Sequence, residues 1–157
     1  MTVRNKIAAA VAALGLLTCA TLASAGTATA APAGPGAVLT KATVSFHTNN
    51  EDKDDDTHVT LWVRDKQNTT AAFISNDFAH FDDNSDNGPY SLQITNQSSW
   101  DLLNQGTATI RIDPNGHDTW RFNIHVDLLF SDGSHLSSDG FGADLSQDRR
   151  QQTWGIS

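Results

Sequence analysis

The residues with the clearest chemical potential are acidic, and they come in groups. Glu51-Asp52-Lys53-Asp54-Asp55-Asp56 places five carboxylates in six positions, and Asp82-Asp83-Asn84-Ser85-Asp86-Asn87 forms a second patch. Asp113 and Asp118 bracket a Pro-Asn-Gly-His turn, while Asp132 and Asp139 bracket another. Carboxylates held close together repel one another, and a hard cation relieves that repulsion through carboxylate, amide and carbonyl oxygens. Calcium suits irregular loops of this kind better than magnesium does. The expected cation ligands are Asp52, Asp54, Asp55, Asp56, Asp82, Asp86 and Asp118. No EF-hand is spelled out: Asp82, Asn84 and Asp86 have its opening spacing, but Gly88 comes one place late and Gln93 stands where a glutamate belongs. The competing reading is a solubilising surface whose charges face water.

The second chemical signal is aromatic. Trp120 falls in an apolar register and belongs in a core. Trp62, Trp100 and Trp154 lie on polar faces or near loops, where an indole can stack on a sugar ring, sit at a membrane interface or anchor a protein. Alternatively, a crossing loop covers Trp62 and the tail carrying Trp154 closes a sheet edge. Catalytic constellations are weaker. Glu51 is the sole glutamate, and clustered aspartates do not resemble the opposed carboxylates of a glycosidase. A Gly-x-Ser-x-Gly elbow is absent, and the six histidines are dispersed without metal-ligand spacing. The expectation is a protein that is not an enzyme.

These side chains need strands to hold them. Val44 and Phe46, then Val59, Leu61 and Val63, then Tyr90, Leu92 and Ile94, then Ala108, Ile110 and Ile112 each alternate with polar residues. The longest such set is Trp120, Phe122, Ile124, Val126, Leu128 and Phe130. Period-two patterning puts each set on one strand face, and clean alternation marks antiparallel sheets with one wet side. Phe73 to Phe81 reads as a short strand and a loop. Asn84 to Pro89, Asn115-Gly116, Asp132-Gly133 and Asp139-Gly140 supply turn chemistry. The fold class is therefore all-β, an antiparallel β-sandwich of about eight strands, with a small barrel as the architectural alternative.

The first residues have another purpose. Arg4 and Lys6 precede an apolar run from Ile7 to Leu17, followed by Ala23-Ser24-Ala25 and Ala28-Thr29-Ala30. That is the pattern of a secretory signal peptide, and the run is too short to span a bilayer. Leu16-Leu17-Thr18-Cys19 offers a rival lipobox, although Thr18 is bulkier than the usual residue there. The Ala- and Thr-rich leader resembles those of high-GC Gram-positive bacteria. The chain divides into a signal peptide over 1–30, a flexible leader over 31–40 and one β-sandwich domain over 41–157. The full chain carries ten Lys/Arg against eighteen Asp/Glu, a formal charge of −8, and losing the signal removes two further cations. That balance argues against a nucleic-acid partner. Cys19, the sole cysteine, leaves with the signal, so no disulfide is expected.

Taken in order, several segments resemble the PLAT/LH2 domain family. Thr48-Asn49-Asn50-Glu51-Asp52-Lys53-Asp54-Asp55-Asp56-Thr57-His58-Val59-Thr60-Leu61 is similar to its opening strand, polar loop and threonine-led second strand. Trp100-Asp101-Leu102-Leu103-Asn104-Gln105-Gly106 before Ala108 to Ile112 looks like its acidic-aromatic stretch and basic-residue strand. Asp118-Thr119-Trp120-Arg121-Phe122-Asn123-Ile124-His125-Val126 is similar to its tryptophan strand. Asp56 replaces the glycine the family has before its threonine. The resemblance, over 43–130, implies an eight-stranded sandwich, calcium-stabilised in some members, that docks on lipid, membranes or protein without catalysis. It would assign Asp55, Asp56, Asp101 and Asp118 as ion ligands. The function expected is a secreted, calcium-stabilised binding module for a lipid or membrane surface or a protein. The alternatives are a carbohydrate-binding module for a polysaccharide, a secreted protease inhibitor and a small hydrolase.

Overall fold

A computed structural model describes residues 36–157. The signal peptide and most of the leader lie outside the described residues. Nine strands and one short helix follow in chain order: β1 (Leu39–Glu51), β2 (His58–Arg64), β3 (Thr70–Asn76), β4 (Asp86–Ser91), β5 (Gln93–Ile94), α1 (Trp100–Leu103), β6 (Thr107–Asp113), β7 (Thr119–Phe130), β8 (His135–Ser146) and β9 (Gln151–Gly155). They form a four-stranded sheet, β4-β1-β7-β8, and a five-stranded sheet, β5-β3-β2-β6-β9, with every pairing antiparallel. The two apolar faces meet in a single core. The all-β sandwich is thus the fold, with nine strands.

Alternation explains most of it. Trp120, Phe122, Ile124, Val126, Leu128 and Phe130 of β7 are all buried, as are Val59, Leu61 and Val63 of β2 and Ala108, Ile110 and Ile112 of β6. Trp120 stacks on Phe122 with ring centroids 3.8 Å apart, and its indole N–H donates to Thr48 Oγ1. That contact satisfies the one polar atom of the largest buried side chain.

Two segments differ from the pattern. Tyr90, Leu92 and Ile94 do not share a strand. The chain passes from one sheet to the other at Leu92, which is buried, so β4 pairs with β1 while β5 pairs with β3. Asp139-Gly140 is not a turn but the middle of β8. Opposite it, the β7–β8 register shifts between Phe122 and Ile124. A bulge of this kind breaks period-two alternation. The core-facing residues change from Leu136, Ser138 and Gly140 to Ala143 and Leu145, a set too small and irregular to read as an apolar stripe.

Both flanks of the sandwich are tied. Leu92 makes the crossing on one side. On the other, Ser137 and Ser157 exchange backbone N–H···O bonds of 3.1 and 3.0 Å between β8 and the segment after β9.

Candidate functional site

The acidic loop between β1 and β2 folds around its own cation. Lys53 is fully buried, and its ammonium donates to the carbonyl oxygens of Asp54 at 2.6 Å, Asp77 at 2.7 Å and Thr57 at 3.3 Å. Its backbone exchanges two hydrogen bonds with Phe81, whose ring the ammonium also approaches at 5.2 Å. Burial lowers the proton affinity of this lysine, while the charges of Asp118, Asp77, Asp55 and Asp54 oppose that effect. Asp54 leans the other way. Its carboxyl is held above the ordinary aspartate range, chiefly by the negative charge of Asp118, then by desolvation, Asp52 and Asp56.

The eight expected cation ligands do not converge on one point. Asp52 and Asp54 lie together with His80, their ligand atoms within 4.8 Å of one another, and His80 Nε2 is 3.4 Å from both Asp52 and Asp82. Asp55 is exposed beside them. Asp56 accepts from the Asn115 amide at 2.9 Å, and Asp118 accepts from the Thr57 hydroxyl. Asp86 instead pairs with His47 on the four-stranded sheet. Asp101 lies in α1, which docks beyond the opposite end of β2 through a Lys66 N–H bond to the Leu102 carbonyl.

The tryptophans are separated as well. Trp62 is half-buried on the outer face of the five-stranded sheet, with the Arg64 guanidinium 5.3 Å from its ring centroid. Trp100 opens α1 and packs against the core. Trp154 belongs to β9, pairs with Ala108, and lies over Gly140 of β8. A Cβ on Gly140 would fall 2.3 Å from the indole, so the absence of a side chain there lets the ring seat. Trp154 therefore closes an edge.

An open groove of about 330 Å³ crosses the outer face of the four-stranded sheet. Its lining includes His47, Asp86, Asn123, His125, Asp139 and Phe141. Asp86 holds His47 Nδ1 at 2.7 Å, and Asp139 holds His125 Nδ1 at 2.7 Å. Phe141 stands 78% exposed and is the only large hydrophobic side chain exposed among the described residues.

The last constellation involves His58 at the start of β2. Its Nδ1 bonds to an Asp77 carboxylate oxygen, and its Nε2 lies 2.9 Å from Ser75 Oγ. Thr60 Oγ1 is 3.1 Å from the same serine oxygen. Strand register causes this: Thr60 pairs with Ser75, and Asp77 follows β3 directly. Lys53 fixes the Asp77 carbonyl from beneath. Sequence reading missed Ser75, Asp77, Lys53, His80 and Phe141. Only the lone lysine inside an acid run was a signal, since a cation in that position has something to neutralise. Neither any family model nor any curated protein sequence matches the chain.

Proposed function

We propose that the protein is a secreted binding module that engages a polysaccharide through the groove of the four-stranded sheet. The observation that carries this is Phe141. A benzyl ring left exposed to water in a groove that sets apolar Phe46 and Ile124 beside the hydrogen-bonding side chains of His47, Asn123 and His125 offers a platform for the apolar face of a sugar. His47 and His125, each oriented by a carboxylate, and the Asn123 amide would bind hydroxyls. The groove volume sits at the lower end for small-ligand sites, a size suited to one or two sugar units. Lipid docking is the less favoured reading. The described residues are acidic overall, and charge of that sign repels anionic bilayers. The test is co-sedimentation with insoluble polysaccharides in parallel with anionic liposomes. Retention on polysaccharide, reduced at least about tenfold in Phe141→Ala by loss of a stacking contact, supports the reading. Retention on liposomes alone would replace it.

We further infer that this module does not depend on calcium. The backbone carbonyl oxygens of Asp54, Thr57 and Asp77 already accept from the Lys53 ammonium, whose charge stands where a cation would be drawn. Asp52, Asp54 and His80 form a mixed oxygen and nitrogen set, nearer to the preference of zinc-class ions than to an all-oxygen shell. Melting temperatures measured in millimolar calcium and in chelator should agree within about 1 °C, because a ligand stabilises only when it is well above its dissociation constant. A clear rise with calcium would restore the ion to the loop.

A further inference from the structure

We propose that Ser75, His58 and Asp77 form an acyl-transfer site at the edge of the five-stranded sheet, acting on short carboxylic esters. Ionised aspartate only accepts hydrogen bonds, so the Asp77 contact places the imidazole proton on Nδ1. The lone pair of Nε2 then faces Ser75 Oγ at 2.9 Å. This is the arrangement in which a serine hydroxyl loses its proton as it attacks a carbonyl. His47, His125 and His135 also have Nδ1 on a carboxylate. Among the described histidines, His58 is the one whose second nitrogen meets a hydroxyl.

The strand supplies a donor for the developing oxyanion. The Ala71 carbonyl accepts from the Thr95 and Asn96 amides on the β5 side of β3. The register with β2 shifts at Ala71 but runs regularly from Ala72 to Asn76, and the register with β5 is unbroken to Phe73, so the alternating backbone groups of Phe73 and Ser75 point to the same side. Pairing with β5 ends at Phe73, which leaves the Ser75 N–H facing the edge beyond the last pair. The nucleophile's own amide is thereby placed to bind the substrate oxygen, the role of an oxyanion-hole donor. Ser75 and Asp77 are both exposed, so an ester can approach.

In the first step a bond forms between Ser75 Oγ and the acyl carbon, and the hydroxyl proton passes to His58 Nε2. The ester C–O bond then breaks, and the leaving alcohol takes that proton. Water, deprotonated by the same nitrogen, then attacks the acyl carbon; the bond between Ser75 Oγ and that carbon breaks, Oγ takes the proton back from Nε2, and the carboxylic acid leaves. Asp77 is a positioning residue, and Lys53 anchors its main chain.

The test combines a fluorophosphonate probe with p-nitrophenyl acetate. We expect probe adduct at Ser75 by peptide mass spectrometry and release of p-nitrophenol above the buffer rate. Ser75→Ala should abolish both, and His58→Ala should slow release by about 10²-fold or more, the span of a general base. Asp77→Asn should slow the chemical step with KM unchanged, because it acts on the imidazole rather than the substrate. His135→Ala, which removes a histidine–carboxylate pair without a hydroxyl, should leave both readouts unchanged. No adduct at Ser75, or equal hydrolysis by Ser75→Ala with an unaltered melting temperature, would reduce the three residues to a surface hydrogen-bond chain.

Discussion

Lys53 shows how a single residue can invert the meaning of its neighbours. Among the five carboxylates of its six-residue run the chain sets a cation of its own, on which the charges of Asp54 and Asp55 act. Replacing Lys53 with Met keeps the volume and strands three buried or half-buried carbonyl contacts, so Lys53→Met should lower stability by about 2–4 kcal/mol in urea titrations. Asp54 has the opposite sign. Neighbouring charge, Asp118 first, raises its proton affinity, so its ionised form is disfavoured in the folded chain. That penalty acts in full above the raised value and is gone below the ordinary value of 3.8. Asp54→Asn should therefore raise the neutral-pH melting temperature slightly, by about 1–3 °C for an exposed group. The gain should vanish as the pH falls through that window. Thermal scans across pH check both signs.

Strands were legible where the apolar side chains are large. β7 announces itself through six buried residues, and β2 and β6 through three each. β8 did not, because Ser138, Gly140 and Ala143 face inward and the bulge reverses the phase midway. The crossing at Leu92 was equally hidden, since alternation continues through it while the pairing partner changes. For Trp154 the sequence leaves ligand stacking and edge closure both open, because its contact with Gly140 depends on two strands that only the fold brings together. Local pattern carries faces, not partners. The same limit concealed Ser75, His58 and Asp77, which need the β2–β3 register before they mean anything. Gly140→Ala tests the edge contact directly. A methyl group cannot fit at 2.3 Å from an indole carbon, so the ring or strand must shift. The variant should lose about 1–3 kcal/mol, an overpacking cost, with a red shift in tryptophan emission as Trp154 meets more water.

At the scale of the whole molecule, two chemically distinct surfaces sit on opposite layers. The groove with Phe141 belongs to the four-stranded sheet, and the serine–histidine–aspartate chain belongs to the five-stranded one. Variants in one should leave the other intact, since substitutions with no shared partners act nearly independently. The layers remain joined at the flank where Ser137 and Ser157 exchange backbone bonds. The Ser157 backbone therefore acts as a rivet between them. Deuterium uptake at the Ser157 amide would time how often the two layers part, turning one proton into a clock for breathing of the whole sandwich.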